Sequence, residues 1–360
     1  MSNFSLQNNT GTVLNVTVVP DHSTQLLIWI TAVLTIVSVG TVANILLLLA
    51  IAIHKPLRKS SSSALIAHCI AIDLYTTAVT VPTSTIPVYL GPGYYLPRDF
   101  CKYQPLFVVF VYPAGMYATC VVAIHRLIAT LLPQFFPRFT KRRVIVILIL
   151  IPWIMAMASD AFPTAGIGLT MQRLNATGSC SYVASGSNWY SVLVFTLVTT
   201  YIPTAIMGVS YLMVFVKTFL DIRFRTANGP GIRRRLEISR TLFLSFIRHC
   251  ISLYPLNILI AFFAKEFSAN FGFQLGMRWL LNSFAAINPV FYLASSKLFQ
   301  QGVREVLRCQ WRCRGQGRSV KPLHGRSRQV RRLPLGTDQV DGTSANNQTS
   351  RVDTMHRLAD

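Results

Sequence analysis

No lysine or arginine precedes Lys55, and acidic residues are scarce throughout, with 12 Asp and Glu against 34 Lys and Arg in 360 residues. Only 13% of the chain is charged while 52% is apolar, and mean hydropathy is +0.44. That balance excludes an ordinary soluble protein and makes a membrane protein the default. The formal net charge of +22 is concentrated late in the chain. It speaks of topology, and nucleic acid is not an expected partner. Also missing are HExxH, GxSxG and a phosphate-binding glycine loop, and the carboxylates Asp73 and Asp160 lie on different spans without a paired base. No enzyme is expected. Residues 1–24 lack the basic start and apolar core of a cleavable signal, so the first span is expected to act as its own insertion signal. The chain shows no internal repeat of the kind from which duplicated transporters are built.

What is present is a series of long apolar runs. Seven can cross a hydrocarbon core, which takes about 20 helical residues. They fall near 25–53, 63–90, 104–131, 144–167, 188–216, 241–263 and 275–294. This predicts an all-α membrane protein, a seven-transmembrane helix bundle. Basic residues crowd the odd-numbered connections, with Lys55, Arg58 and Lys59 in the first, Arg138 and Lys141 in the third, and Arg233 to Arg235 in the fifth. Those connections and the C-terminus therefore face the cytoplasm, and the N-terminus is extracellular. The sequons at Asn3, Asn8, Asn15 and Asn175 all fall on the outer side and are the expected glycosylation sites, whereas the triplet at Asn347 lies inside. The chain thus divides into an outer tail (1–24), the bundle (25–294), a juxtamembrane segment (295–313) and a basic, Gly- and Ser-rich cytoplasmic tail (314–360) that reads as disordered.

Of seven cysteines, Cys101 and Cys180 lie on the oxidising side. A bridge between them would tie the second outer loop to span three, closing about 80 residues and contributing about 4 kcal/mol in the chain-entropy model. Two free thiols are the other reading. Cys69, Cys120 and Cys250 read as apolar core residues.

In this arrangement the chain resembles the rhodopsin-like G protein-coupled receptors over roughly residues 25 to 313. The markers are GTVAN ending at Asn44, LIAHCIAIDL with Asp73, Arg126 lying 25 residues after Cys101, and Pro133 beyond it. Trp153 and Pro163 mark span four, Pro203 and Tyr211 span five, Pro255 in SLYPLN span six, and NPVFY with Asn288, Pro289 and Tyr292 span seven. Phe299 marks a short amphipathic eighth helix. Within the family, SLYPLN, the His125–Arg126 pair and the PQFFP loop resemble the branch with melatonin-type, medium-chain-fatty-acid-type and trapped-in-endoderm/moody-type receptors.

The resemblance implies that Asp73, Asn44 and Asn288 form a polar cluster holding a sodium ion in the inactive state, the sole metal or cofactor expected. Gly115 stands where a ligating serine is usual, and the residues alone leave open a hydrogen-bonded network without sodium. It also implies that Arg126 locks span three to span six when the receptor is off and contacts Tyr211 and a heterotrimeric G protein when on. The usual acidic neighbour is replaced by His125, which predicts a weaker off-state restraint or pH sensitivity; a merely tolerated histidine is the plainer reading. Glu237 is a candidate counterion, and Arg248, costly in lipid, is expected to face inward or snorkel. Pro203 and Pro255 are expected to kink their helices.

An extracellular ligand is expected among spans three, five, six and seven, near Val108, Val109, Tyr112, Phe195, Thr199, Asn257 and Arg278. Val108 replaces the aspartate of aminergic receptors and Asn282 the retinal-linking lysine of opsins, which disfavours an amine or a chromophore. Arg278 calls for an acidic partner, with Glu266 or Asp160 slightly favoured over an anionic ligand. Cys309 and Cys313 fit S-palmitoylation, and the basic inner face suits anionic membrane lipids. Arrestin is a further partner in the family, although few acidic residues neighbour the tail's Ser and Thr. A seven-span transporter or channel is the alternative; it would need a polar path that spans one, four and five scarcely offer.

Overall fold

The computed structural model describes residues 6–7, 13–14, 23–58, 62–91, 93–97, 99–173, 178–184, 190–224, 240, 243–244, 246–256, 258–259, 263 and 270–316. Among these, five helices are long and apolar enough to cross a bilayer: Ser23–Ile53, Ser63–Leu90, Phe100–Leu131, Arg142–Ala165 and Leu193–Asp221. Span six is helical over 246–256 and 258–259. Span seven is two helices, Phe271–Asn282 and Phe284–Ser295, meeting at Ser283. The Asn270 side chain caps its start by accepting from the Phe273 N–H at 2.9 Å. Met1–Arg314 forms one compact unit, and Gly315–Asp360 is a separate one.

The bundle is inverted relative to a soluble protein, because hydrocarbon receives its apolar outer face. Val39, Ile147, Val209 and Leu212 are exposed on that face. Inside, Leu47, Leu65, Met116, Tyr211, Tyr292 and Phe299 pack one core, and Trp29, Val33, Val81 and Leu275 a second. Gly40 lets span one approach span seven, since a Cβ there would lie 2.5 Å from the Ala286 Cα. Small residues at such crossings replace hydrophobic driving force with close packing.

Proline decides several local geometries. Segments Thr76–Thr80 and Leu197–Tyr201 are π-helical, each ending two residues before a proline, Pro82 or Pro203. A proline lacks the N–H that would bond the carbonyl four residues earlier and its ring crowds that carbonyl, so a wider turn relieves both. A third π segment, Pro105–Val109, follows the first turn of span three. Span five runs on to Phe224, past the expected end at 216, and Lys217 pairs with Asp221 at 2.9 Å on this extension. One helical turn separates those charges, so the polar residues extend the helix.

Leu169–Arg173 and Cys180–Ala184 pair antiparallel as a hairpin between spans four and five. The eighth helix, Lys297–Gln316, turns off after Ser296 and seats Phe299 against Tyr292, with ring centroids 5.2 Å apart.

Candidate functional site

At the middle of the bundle, Asp73 is buried and accepts a hydrogen bond from the Asn288 amide at 3.0 Å. Asn44, the other expected partner, does something else. Its amide donates to the Ala285 carbonyl at 3.3 Å. Pro289 lacks the N–H that would bond this carbonyl along the helix, and Asn44 satisfies it instead. The expected three-residue cluster is therefore a bonded pair, with Asn44 serving the proline bend. Beside the pair lies a cavity of about 40 Å³ lined in part by Asp73, Tyr112, Gly115, His249, Asn288 and Tyr292. That exceeds the about 10–15 Å³ one water needs.

Arg248 enters this region from span six. It faces inward, donating to the Phe284 carbonyl and to the Ser283 hydroxyl, both at 3.2 Å, with its guanidinium 5.9 Å from the Phe291 ring centroid. Its neighbour His249, at the usual phenylalanine position, packs edge-on against Phe284 at 5.3 Å.

Tyr211 and Tyr292 are both buried in one cluster with Val122 and Ala123 of span three, the helix that carries Arg126. Three spans thus converge there. His125 turns away from this cluster, to Ser62 (Nδ1 to Oγ 3.3 Å) and to the Phe136 ring at 5.0 Å. Adjacent residues on a helix point in different directions, so neighbours in sequence are divided between two environments. His125 therefore joins span three to the two inner connections rather than holding Arg126. Glu237, the candidate counterion, lies outside the described residues. Pro255 lies within the helical stretch 246–256 of span six, and Pro203 in span five is buried.

On the outer side, Cys101 and Cys180 form a disulfide with a Cα–Cα separation of 5.4 Å, tying the hairpin to span three. Asp160 is buried in span four and accepts from the Tyr182 hydroxyl at 3.2 Å. Burial, and then Asp160 itself, push the Tyr182 phenol well above its ordinary range, so it remains the donor. The Tyr182 ring also meets Phe195 at 5.1 Å. Among the described residues no Arg278–Asp160 pair forms, and the hairpin's Tyr182 is the partner of the carboxylate instead. Among the described residues Arg278 makes no hydrogen bond or ion pair; Glu266 lies outside them.

The other residues expected near a ligand are divided. Val108 is buried, its carbonyl accepting from Thr80 at 3.0 Å, and Val109 is half-buried beside it. Thr199 bonds the Phe195 carbonyl of its own helix at 2.8 Å. Tyr112 packs against Phe284 at 6.2 Å and lines the central cavity. Asn257 falls outside the described residues, as do Asn3, Asn8, Asn15 and Asn175. Cys309 and Cys313 lie on the eighth helix, with side chains outside the description.

Sequence reasoning missed an outer clamp. Arg173 donates to the carbonyls of Gly91 at 3.1 Å, Tyr94 at 2.8 Å and Gly178 at 3.3 Å, joining two loops. All three acceptors are backbone atoms, so no residue type announces them.

Residues 43–292 match the family described as 7 transmembrane receptor (rhodopsin family). The chain is 25% identical over 306 residues to neuropeptide receptor 15 of Caenorhabditis elegans, covering 75% of this chain and 87% of that receptor. It is 23% identical over 353 residues to the human alpha-1A adrenergic receptor (84% and 74% covered). Identity to the human substance-K receptor is 24% over 301 residues (80% and 74% covered).

Proposed function

This chain belongs to the rhodopsin family of seven-transmembrane receptors, and we propose that it is a plasma-membrane receptor that converts binding of an extracellular ligand into nucleotide exchange on a heterotrimeric G protein. The observation that carries the reading is the convergence of span three, which carries Arg126, with Tyr211 and Tyr292 of two other spans in one buried cluster. Outward movement of span six opens a basic inner cavity for the C-terminal helix of a G protein α subunit. No carboxylate stands at position 125, so restraint of Arg126 is weakened there and basal exchange is measurable.

The N-terminus and hairpin face outward, and the eighth helix lies on anionic lipid of the inner leaflet. Receptors named for a neuropeptide, for adrenergic signalling and for substance K are among its relatives. Val108 offers no carboxylate for an amine, whereas Arg278, unpaired among the described residues, supports a ligand with an acidic group.

The test reconstitutes the full chain in lipid nanodiscs with a panel of G proteins and measures guanine-nucleotide exchange. Exchange above empty discs, lost in Arg126→Ala, is expected. Ion flux in liposomes without exchange on any G protein would overturn the reading.

A further inference from the structure

The family implies a sodium ion beside Asp73, and the residues present do not fit one. Such a hard cation takes oxygen ligands. Here Asn288 turns an amide N–H toward the carboxylate. Position 115 has no side chain, and a Cβ there would sit 3.3 Å from the Ile72 Cγ2. That position therefore supplies no ligating hydroxyl, and a side chain there would crowd Ile72.

A cation is nevertheless at hand. The Arg248 guanidinium bonds Phe284 and Ser283, on the span that also carries Asn288, the donor to Asp73. Ser283 in turn donates to the Leu280 carbonyl at 2.9 Å, so the hydroxyl is free to accept from Arg248. Phe284 and Asn288 are four residues apart on one helix, which sets the arginine's anchor and the aspartate's anchor about 6 Å apart along its axis. Among the described residues Arg248 forms no direct ion pair. A guanidinium and a carboxylate at this depth are each costly alone, and each offsets the other.

We propose that Arg248 is the built-in counter-cation of Asp73 and makes this receptor independent of sodium. The consequence for signalling rests on the receptor reading above. Arg248 is carried by span six, the element that moves. Outward movement breaks its bonds to span seven and strips Asp73 of its cation. Part of the off-state restraint that His125 does not supply is therefore supplied by span six, at mid-membrane.

The test compares thermal unfolding of the purified full chain in sodium chloride and in choline chloride of equal ionic strength. The wild type is expected to unfold at one temperature in both salts. Arg248→Gln is expected to unfold about 2–4 °C lower, by the same amount in both salts because no sodium ligands appear when the guanidinium leaves, and Arg248→Lys to lose less. A sodium-specific rise in the wild type, or an Arg248→Gln variant as stable as the wild type, overturns the proposal. If Arg248→Gln does not fold, Arg248→Gln with Asp73→Asn decides: recovered folded protein supports the pair, and no recovery overturns it. The thermal readout needs no G protein, so failure of this proposal and failure of the receptor reading are distinguishable.

Discussion

The Asn288 amide donates to the Asp73 carboxylate at 3.0 Å and so joins span seven to span two inside the bundle. Hydrogen bonds to charged groups contribute about 1.5–3 kcal/mol. Asn288→Ala is expected to lose about that much, read as a lower thermal midpoint in nanodiscs. An unchanged midpoint would mean that the bond carries no weight.

Asn44 serves a different carbonyl, and its replacement should behave differently. Asn44→Leu leaves the Ala285 oxygen without its donor and is expected to cost about 1–3 kcal/mol. Pro289→Ala restores an N–H for that oxygen. In the double variant much of the Asn44→Leu loss should disappear; additive losses would contradict the assignment.

The Cys101–Cys180 bridge closes a loop with a sequence separation of 79. Cys101→Ser and Cys180→Ser are each expected to cost about 4 kcal/mol and to reduce surface expression. The double variant should be no worse than either single one, as cell-surface labelling would show.

Tyr182 holds Asp160 with one hydrogen bond and Phe195 with its ring. Tyr182→Phe keeps the ring contact and leaves the buried carboxylate without that donor, an expected loss of about 1–3 kcal/mol. With Asp160→Asn already in place, removing the hydroxyl should cost far less. Equal losses in both backgrounds, measured by thermal unfolding, would show that the pair is uncoupled.

At the inner face, His125→Asp puts an acid back next to Arg126 in sequence. Basal nucleotide exchange is expected to fall. If it does not change, the weakened restraint at this position is not the cause of basal activity.

Much of the architecture was legible from the chain. The bilayer imposes one length and one polarity on every span, so apolar runs and the basic bias of alternate connections suffice to place them. Span ends were less legible. Lys217 and Asp221 look like a connection, yet they pair along a helix that continues to Phe224. The π segments before Pro82 and Pro203 leave no signature in residue type beyond the prolines themselves.

Composition and spacing by themselves determined a helical membrane bundle with Asp73 and Arg126 in its spans, because an ionisable group in hydrocarbon must face the bundle; the receptor family came from the resemblance of the motifs. They could not assign partners. Asn44 went to the carbonyl left free by Pro289, Asp160 to Tyr182 and His125 to Ser62 and Phe136. A hydrogen bond reaches about 3 Å, and only the packing of whole helices brings a particular donor that close. Arg248 is the clearest case: its cost in the membrane is plain from the chain, but its bonds to Ser283 and Phe284 exist only where spans six and seven meet.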